Sequence, residues 1–309
     1  MDTQSNVLTP KFTVSAAWRI SMEDQVIQSG NMKRGYLNED FHYFKLKDQI
    51  KNEFEFHYHD FNKIIIFLSG DVTYVIEGKS YKLKPWDILL VGKNDIHLPI
   101  ISPELSYERI VLWLNPVYLE EHNKNNCSLL NCFELAAERK LNLIRTNKKD
   151  IQVLMQHLTE LEEAVQDKAF GSEILKNALF IRLMVKINRL FLTMDTDKKL
   201  EDIVYDPRIE KVLSYINGNL DHSLSVELLA KEFYLNKYYL MHLFKQETGY
   251  TLYGYIQKKR IMKASDLINT GMPSGEVCSH CGFGDYSAFV RAFKKEFHLS
   301  PKQYYKFNK

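Results

Sequence analysis

The sequence predicts an α+β protein. A small antiparallel barrel or sandwich comes first, a helical segment second, and an all-α unit of two helix-turn-helix motifs last. Three observations carry this. Residues 36–119 hold short apolar or alternating runs separated by turn residues. Residues 150–192 change to the three-and-four spacing of an amphipathic helix. Residues 205–307 contain one helical pattern twice, at a constant offset of 49 residues.

The chain has 309 residues, enough for two domains, and its 45% hydrophobic and 26% charged residues suit a globular protein with a substantial core. The opening MDTQSNVLTPKF lacks the apolar centre of a signal peptide, and the four cysteines are too few for a disulfide framework, so a reducing cytoplasm is expected. Ala16-Ala17-Trp18 and Val26-Ile27 read as strands or an arm.

Lys63 to Phe67 is an apolar, largely β-branched run closed by Ser69-Gly70-Asp71. Val72, Tyr74 and Ile76 alternate with other residues up to Glu77-Gly78-Lys79. Tyr81 and Leu83 lead to Pro85, Ile88 to Val91 form the next strand, and Ile110 to Leu114 another before Asn115-Pro116. His57 and His59 share one side of an extended segment, because residues two apart face the same way. With His97 they read as metal ligands, effector-binding groups or satisfied polar residues of the barrel interior.

Cys132 to Leu135 suggests a short helix. Ile151, Leu154, Leu158, Leu161 and Val165 put one apolar stripe on a helix from Asp150 to Gln166, and Gly171 breaks the pattern. The helix from Glu173 to Leu192 is apolar at 13 of the 19 positions from Ile174. Lys176, Arg182, Lys186 and Arg189 within it exclude a membrane span and point to burial on two sides. Met194 to Tyr205 is polar and reads as a linker, and Asp206-Pro207 then caps a helix with Ile209, Val212, Leu213 and Ile216 inward.

In the repeat, Phe244-Lys245-Gln246-Glu247, Thr251 and Tyr255 match Phe293-Lys294-Lys295-Glu296, Ser300 and Tyr304. Ser225 and Asn236 cap two helices of the first unit, and Gly249 ends the second of them. Leu252 to Asn269 joins the units; Gly282 makes the second turn and Asp285 caps the helix after it. Ser300-Pro301 starts the last helix. Leu240, Leu243 and Phe244 face inward in the first unit, as Phe289, Ala292 and Phe293 do in the second. Residues 205–309 hold 15 Lys and Arg against 10 Asp and Glu, a net +5, while residues 1–204 net −3. The basic excess lies with the helix-turn-helix units, as a phosphate-binding surface requires. Cys278 and Cys281 form one CxxC, which admits a zinc or redox reading. Without a second pair, two small buried packing residues account for it.

This C-terminal part resembles the AraC/XylS family of transcription regulators. The residues that carry the resemblance are Arg260-Ile261 with Ala264, Val277-Cys278, Gly282-Phe283, Phe289, Phe293 and Ser300-Pro301. It implies sequence-specific binding to the major groove of double-stranded DNA, with two recognition helices about one DNA turn apart. The positions matching the family's base readers are Tyr238, Met241 and His242, then Tyr286, Ser287 and Arg291; Lys245, Lys294 and Lys295 are the expected phosphate contacts. The first turn departs from the pattern, with Tyr234 where the second has Gly282.

The strand-rich part is similar to a cupin, the jelly-roll barrel that many members of that family use as a sensor. The likeness implies an effector site at His57, His59, Lys63, Tyr74, Trp86 and His97, with a sugar as one candidate effector that Tyr43, Tyr74, Trp86 and Trp113 could stack upon. Lys63 stands where metal-binding cupins carry Glu, which argues against a metal, and no cofactor is expected. The expected organisation is a sensing domain over 1–148, a dimerisation segment over 149–194, a linker over 195–205 and the DNA-binding domain over 206–309. The expected partners are DNA, a small-molecule effector, a second copy through helices 150–192, and RNA polymerase for an activator, with no membrane. The alternatives are a metal-dependent cupin enzyme fused to a DNA-binding domain and a regulator controlled by a protein partner.

Overall fold

The computed structural model describes residues 37, 39–48, 54–194 and 202–307. The readings at Ala16-Ala17-Trp18 and Val26-Ile27 lie outside them. The described residues of the N-terminal half hold seven successive strands: β1 (Phe41–Asp48), β2 (Asn62–Ser69), β3 (Val72–Ile76), β4 (Lys79–Lys82), β5 (Ile88–Val91), β6 (His97–Ile101) and β7 (Tyr107–Leu114). Helices α1 (Pro116–Glu121) and α2 (Asn131–Arg139) follow, then strand β8 (Leu143–Ile144) and helices α3 (Lys148–Gln166) and α4 (Ser172–Thr193). A two-residue strand, β9 (Ile203–Val204), precedes α5 (Pro207–Gly218), α6 (Val226–Glu232), α7 (Lys237–Thr248), α8 (Leu252–Asn269), α9 (Ser274–His280), α10 (Tyr286–Phe297) and α11 (Pro301–Phe307).

The strands form two antiparallel sheets, ordered β1-β7-β2-β5-β8 and β6-β3-β4-β9. The five-stranded sheet is covered on both faces, which explains why β2 and β5 read as continuous apolar runs. On one face Ile65, Phe67, Val91, Val111 and Trp113 pack with Val72, Tyr74 and Tyr81 of the other sheet. On the opposite face Ile64, Ile66, Leu90 and Leu112 meet Leu154, Leu158, Leu161, Phe180, Leu183 and Ile187 of α3 and α4. Each such fully buried side chain contributes about 1.5–3 kcal/mol. The α3 stripe is buried at Leu154, Leu158 and Leu161 but not at Val165, which is exposed because it lies on the last turn.

Part of the stretch read as linker has regular structure. Ser80 pairs with Val204 and Tyr81 with Ile203, so β9 extends the smaller sheet. Lys84 and Arg145 hold Asp202 just before it, at 2.6 and 2.9 Å. β6 carries Pro99 and forms one edge of that sheet, a position where a missing N–H breaks no ladder. No described helix is long and apolar enough to cross a membrane.

Candidate functional site

Two helix-turn-helix units, α6–α7 and α9–α10, are joined by the long helix α8. Each second helix has a side-chain cap. Asn236 Oδ1 accepts from Tyr238 N at 2.9 Å, and Asp285 Oδ1 accepts from Ala288 N at 2.6 Å. Leu240, Leu243 and Phe244 bury one face of α7, and Phe289 and Phe293 bury one face of α10. This orientation leaves Tyr238, Met241, His242 and Lys245 exposed on the first helix and Tyr286, Ser287, Arg291, Lys294 and Lys295 on the second. Lys294 and Lys295 sit in the last turn of α10. The Tyr286 hydroxyl lies 2.9 Å from Ser274 Oγ at the start of α9, a tie that sequence pattern alone does not signal.

The two turns differ as the sequence suggests. Both Gly282 and Tyr234 have positive φ, 71° and 54°. Their separation is 48 residues, one fewer than that between the helices that follow, because Gly284 lengthens the second turn. A Cβ on Gly282 would overlap the Leu220 carbonyl oxygen and press on the Arg260 guanidinium, so only glycine fits. Arg260 is buried and donates to the carbonyls of Leu220 at 2.9 Å and His222 at 2.6 Å. It therefore ties α8 to the α5–α6 loop. Cys278 and Cys281 are buried packing residues in the core of the second unit, and burial raises both thiols, Cys281 to about 11.

In the barrel, His57, His59 and His97 are all buried, and one ring nitrogen from each lies within 4.8 Å of the others. The backbones of His57 and His97 exchange two hydrogen bonds, 3.0 and 2.9 Å long. Lys63 and Tyr74 are also buried; the Tyr74 ring centroid is 6.0 Å from that of His97, and Trp113 is 6.1 Å from His59. Trp86 does not join them. It occupies a turn with φ 71° and packs with the helix-covered face, where Tyr43 also lies. Tyr43 and Trp86 thus leave the proposed stacking set, and Tyr74 and Trp113 stay in it. One cleft of about 370 Å³, lined by Glu39, Asp40, Phe41, Glu173, Lys176 and Asn177, lies outside the barrel and contains none of the six expected effector residues.

A polar seam joins the barrel to the helical unit. Glu77 accepts from the Tyr255 hydroxyl at 2.5 Å, Lys259 Nζ at 2.6 Å and the Ile96 N–H at 2.7 Å. Lys93 meets Asp266 at 2.5 Å, and Lys79 meets Glu210 at 2.8 Å. Glu296, on α10, receives the Tyr58 hydroxyl and Lys258 Nζ, the latter at 2.5 Å. Burial and the adjacent carboxylates keep the Tyr58 and Tyr255 hydroxyls protonated, and burial lowers Lys258 against the pull of Glu296. Tyr58 and Ile96 are part of the same apolar core as Ile209, Leu213, Leu243 and Tyr255.

Residues 43–184 match the model of the AraC-like ligand binding domain, and residues 229–306 match a helix-turn-helix domain model. The chain is 25% identical over 252 residues to the HTH-type transcriptional activator RhaS of Enterobacter sp., covering 80% of this chain and 86% of that protein. It is 25% identical over 253 residues to RhaS of Klebsiella pneumoniae, covering 82% and 87%. Among solved structures it pairs with apo ToxT from Vibrio cholerae at 18% identity, over 88% of this chain and 99% of that one, with a TM-score of 0.35. It also pairs with the C-terminal domain of AraT from Geobacillus stearothermophilus at 28% identity, over 33% of this chain and 86% of that one, with a TM-score of 0.32. The two RhaS proteins are named as transcriptional activators and not as enzymes, and the reading as a metal-dependent cupin enzyme is not carried further. With a segment that matches the AraC-like ligand binding domain followed by one that matches a helix-turn-helix domain, and relatives that match across four-fifths of its length, the chain has the two-module build of an AraC-type transcription regulator.

Proposed function

We propose that the protein reads a promoter with both helix-turn-helix units and that occupancy of the barrel changes its hold on that DNA. The observation that carries this is the exposure of all nine expected DNA contacts on two capped helices held by α8. Tyr238, Met241, His242, Tyr286, Ser287 and Arg291 are the proposed base readers; Lys245, Lys294 and Lys295 are the proposed phosphate contacts. His57, His59, Lys63, Tyr74 and His97 form the proposed effector site, with a sugar as one candidate. Trp86 contributes through the turn that holds β5 and not through contact. An effector acts only through different affinities for the two arrangements of the seam. Exposed Met155 and Val165 on α3 and Ile174, Leu175 and Leu192 on α4 support dimerisation through these helices. The relatives' printed role as activators supports contact with RNA polymerase. The cytoplasm is the proposed compartment.

The test is selection from a random duplex library by the purified protein at fixed salt. Two enriched blocks about one helical turn apart are expected. A single block would remove the first unit as a reader, and no enrichment with or without candidate effectors would overturn sequence-specific binding. A second reading, control by a protein partner, is favoured by the filling of the barrel interior with Phe61, Phe67, Tyr74, Tyr81 and Trp113. A sugar panel that leaves the melting temperature unchanged would favour it.

A further inference from the structure

We infer that the barrel segment carrying Phe56 and Tyr58 sets the spacing of the two recognition helices, and that Tyr58 is thereby a specificity-determining residue, selecting the distance between two DNA blocks while touching neither. The inference rests on the reading above that both helix-turn-helix units bind DNA.

The two units have separate apolar cores. Ile209, Leu240, Phe244 and Tyr255 belong to the first, and Ile261, Val277, Phe289 and Phe293 to the second. Helix α8 contributes to both, so the angle between the units depends on that helix and on the side contacts that brace it. One brace is Arg260 against Gly282. Another is Glu296, in the last turn of α10, which pairs with Lys258 of α8 at 2.5 Å. Both side chains are mostly buried, at 13% and 9% exposure, and a buried ion pair holds its geometry when its remaining hydrogen bonds are filled. Tyr58 fills one. Its hydroxyl donates to the second oxygen of Glu296, and the Lys258 ammonium lies 4.9 Å from the centre of its ring. The barrel thus completes the brace between α8 and α10.

The same segment also holds the first unit. Residues two apart in an extended segment share a side, so Phe56 and Tyr58 meet the helical unit together, while the His59 ring turns to Phe61 and Trp113 of the barrel. Phe56 packs over Gly249, the left-handed cap that closes α7, where a Cβ would overlap its ring. Its carbonyl accepts from the Tyr250 hydroxyl at 3.3 Å. Two side chains about 7 Å apart along one segment therefore touch the C-terminal ends of both recognition helices. A base pair added between two DNA blocks moves the second by about 3.4 Å and turns it by about 35°. A clamped pair of helices does not follow that displacement, whereas a second unit released to pivot on α8 does. An effector that moves this segment would then change which operators are bound, and not merely how tightly.

The test measures binding of the full chain to duplexes carrying the two selected blocks at the selected spacing, with one or two base pairs inserted or removed, and to duplexes carrying one block alone. The wild-type protein is expected to lose about tenfold in affinity for each base pair of displacement. Tyr58→Phe keeps the ring beside Lys258 and the Lys258–Glu296 pair, so the fold is retained. It should flatten the spacing preference to within about threefold and leave single-block affinity unchanged. Glu296→Gln, which keeps the shape of the side chain and weakens the brace, should flatten it likewise. A spacing profile unchanged in both variants overturns the inference and leaves the regulator standing. An equal loss at every spacing and on single blocks also overturns it, since that shows a role in stability alone. Failure of the wild-type protein to select paired blocks removes the two-unit reading itself, and the inference with it.

Discussion

Arg291 and Lys294 stand on the exposed side of one helix, and their chemistry assigns them different tasks. A guanidinium can bond guanine O6 and N7 together, whereas an ammonium acts as a point charge. Arg291→Ala should cost about 1–3 kcal/mol at the selected site and relax preference at one base pair. An equal loss on unrelated duplex would remove it as a reader. Lys294→Ala should weaken all sequences alike and reduce the salt slope by about one. Tyr234 poses a different problem. Its backbone is left-handed, and its side chain is 96% exposed and buries little. Tyr234→Gly should raise stability by about 1 kcal/mol in denaturant unfolding, since glycine takes that conformation without the steric cost of a Cβ. A lower midpoint would show that the tyrosine holds the turn. The exposed and buried faces here were legible in the sequence, because helical spacing fixes them without knowledge of the fold. Trp86 was not, because it sits in a turn where period-two alternation assigns no face.

At the level of elements, caps and periodicity marked the helices, while several strands escaped. Asp206, Ser225, Asn236 and Asp285 each cap as their position implied. β9 is two residues long and exists by pairing with β4, so nothing local announces it. β6 is obscured by Pro99, and β1 by Lys45 and Lys47 on a strand covered only in part. The turn from Lys84 to Asp87 carries a measurable consequence. Asp87 accepts from Lys84 N at 2.7 Å and pairs with Arg145 at 3.2 Å, yet burial pushes its carboxyl up to about 6. The folded chain therefore holds more protons than the unfolded chain between about pH 4 and 6, and this group's contribution to stability falls as pH rises through that window. Asp87→Asn removes the titration. The melting temperature of wild type minus variant should be higher at pH 4.5 than at pH 7.5, and the reverse order would show that Arg145 outweighs burial.

The seam shapes the behaviour of the whole molecule. Glu77 joins a barrel turn to two side chains of α8, and Glu296 joins α10 to Tyr58 of the barrel. None of this was visible in the sequence, since each partner lies more than 170 residues from the other. Glu77→Gln keeps the shape and removes the charge opposite Lys259. It should loosen the seam, increase the radius of gyration in X-ray scattering and change operator affinity without any effector. Unchanged scattering and affinity would show that apolar packing alone sets the arrangement. The pairing of β9 with β4 adds a consequence for self-association. Only two residues separate β9 from α5, so swinging the helical unit away pulls on the strand that shields β4. Once peeled, β4 presents bare N–H and C=O groups that another chain can zip onto. An opened regulator would then turn sticky along one rim. Light scattering of Glu77→Gln at rising concentration should detect it, and a chaperone or the promoter itself would serve as its cover.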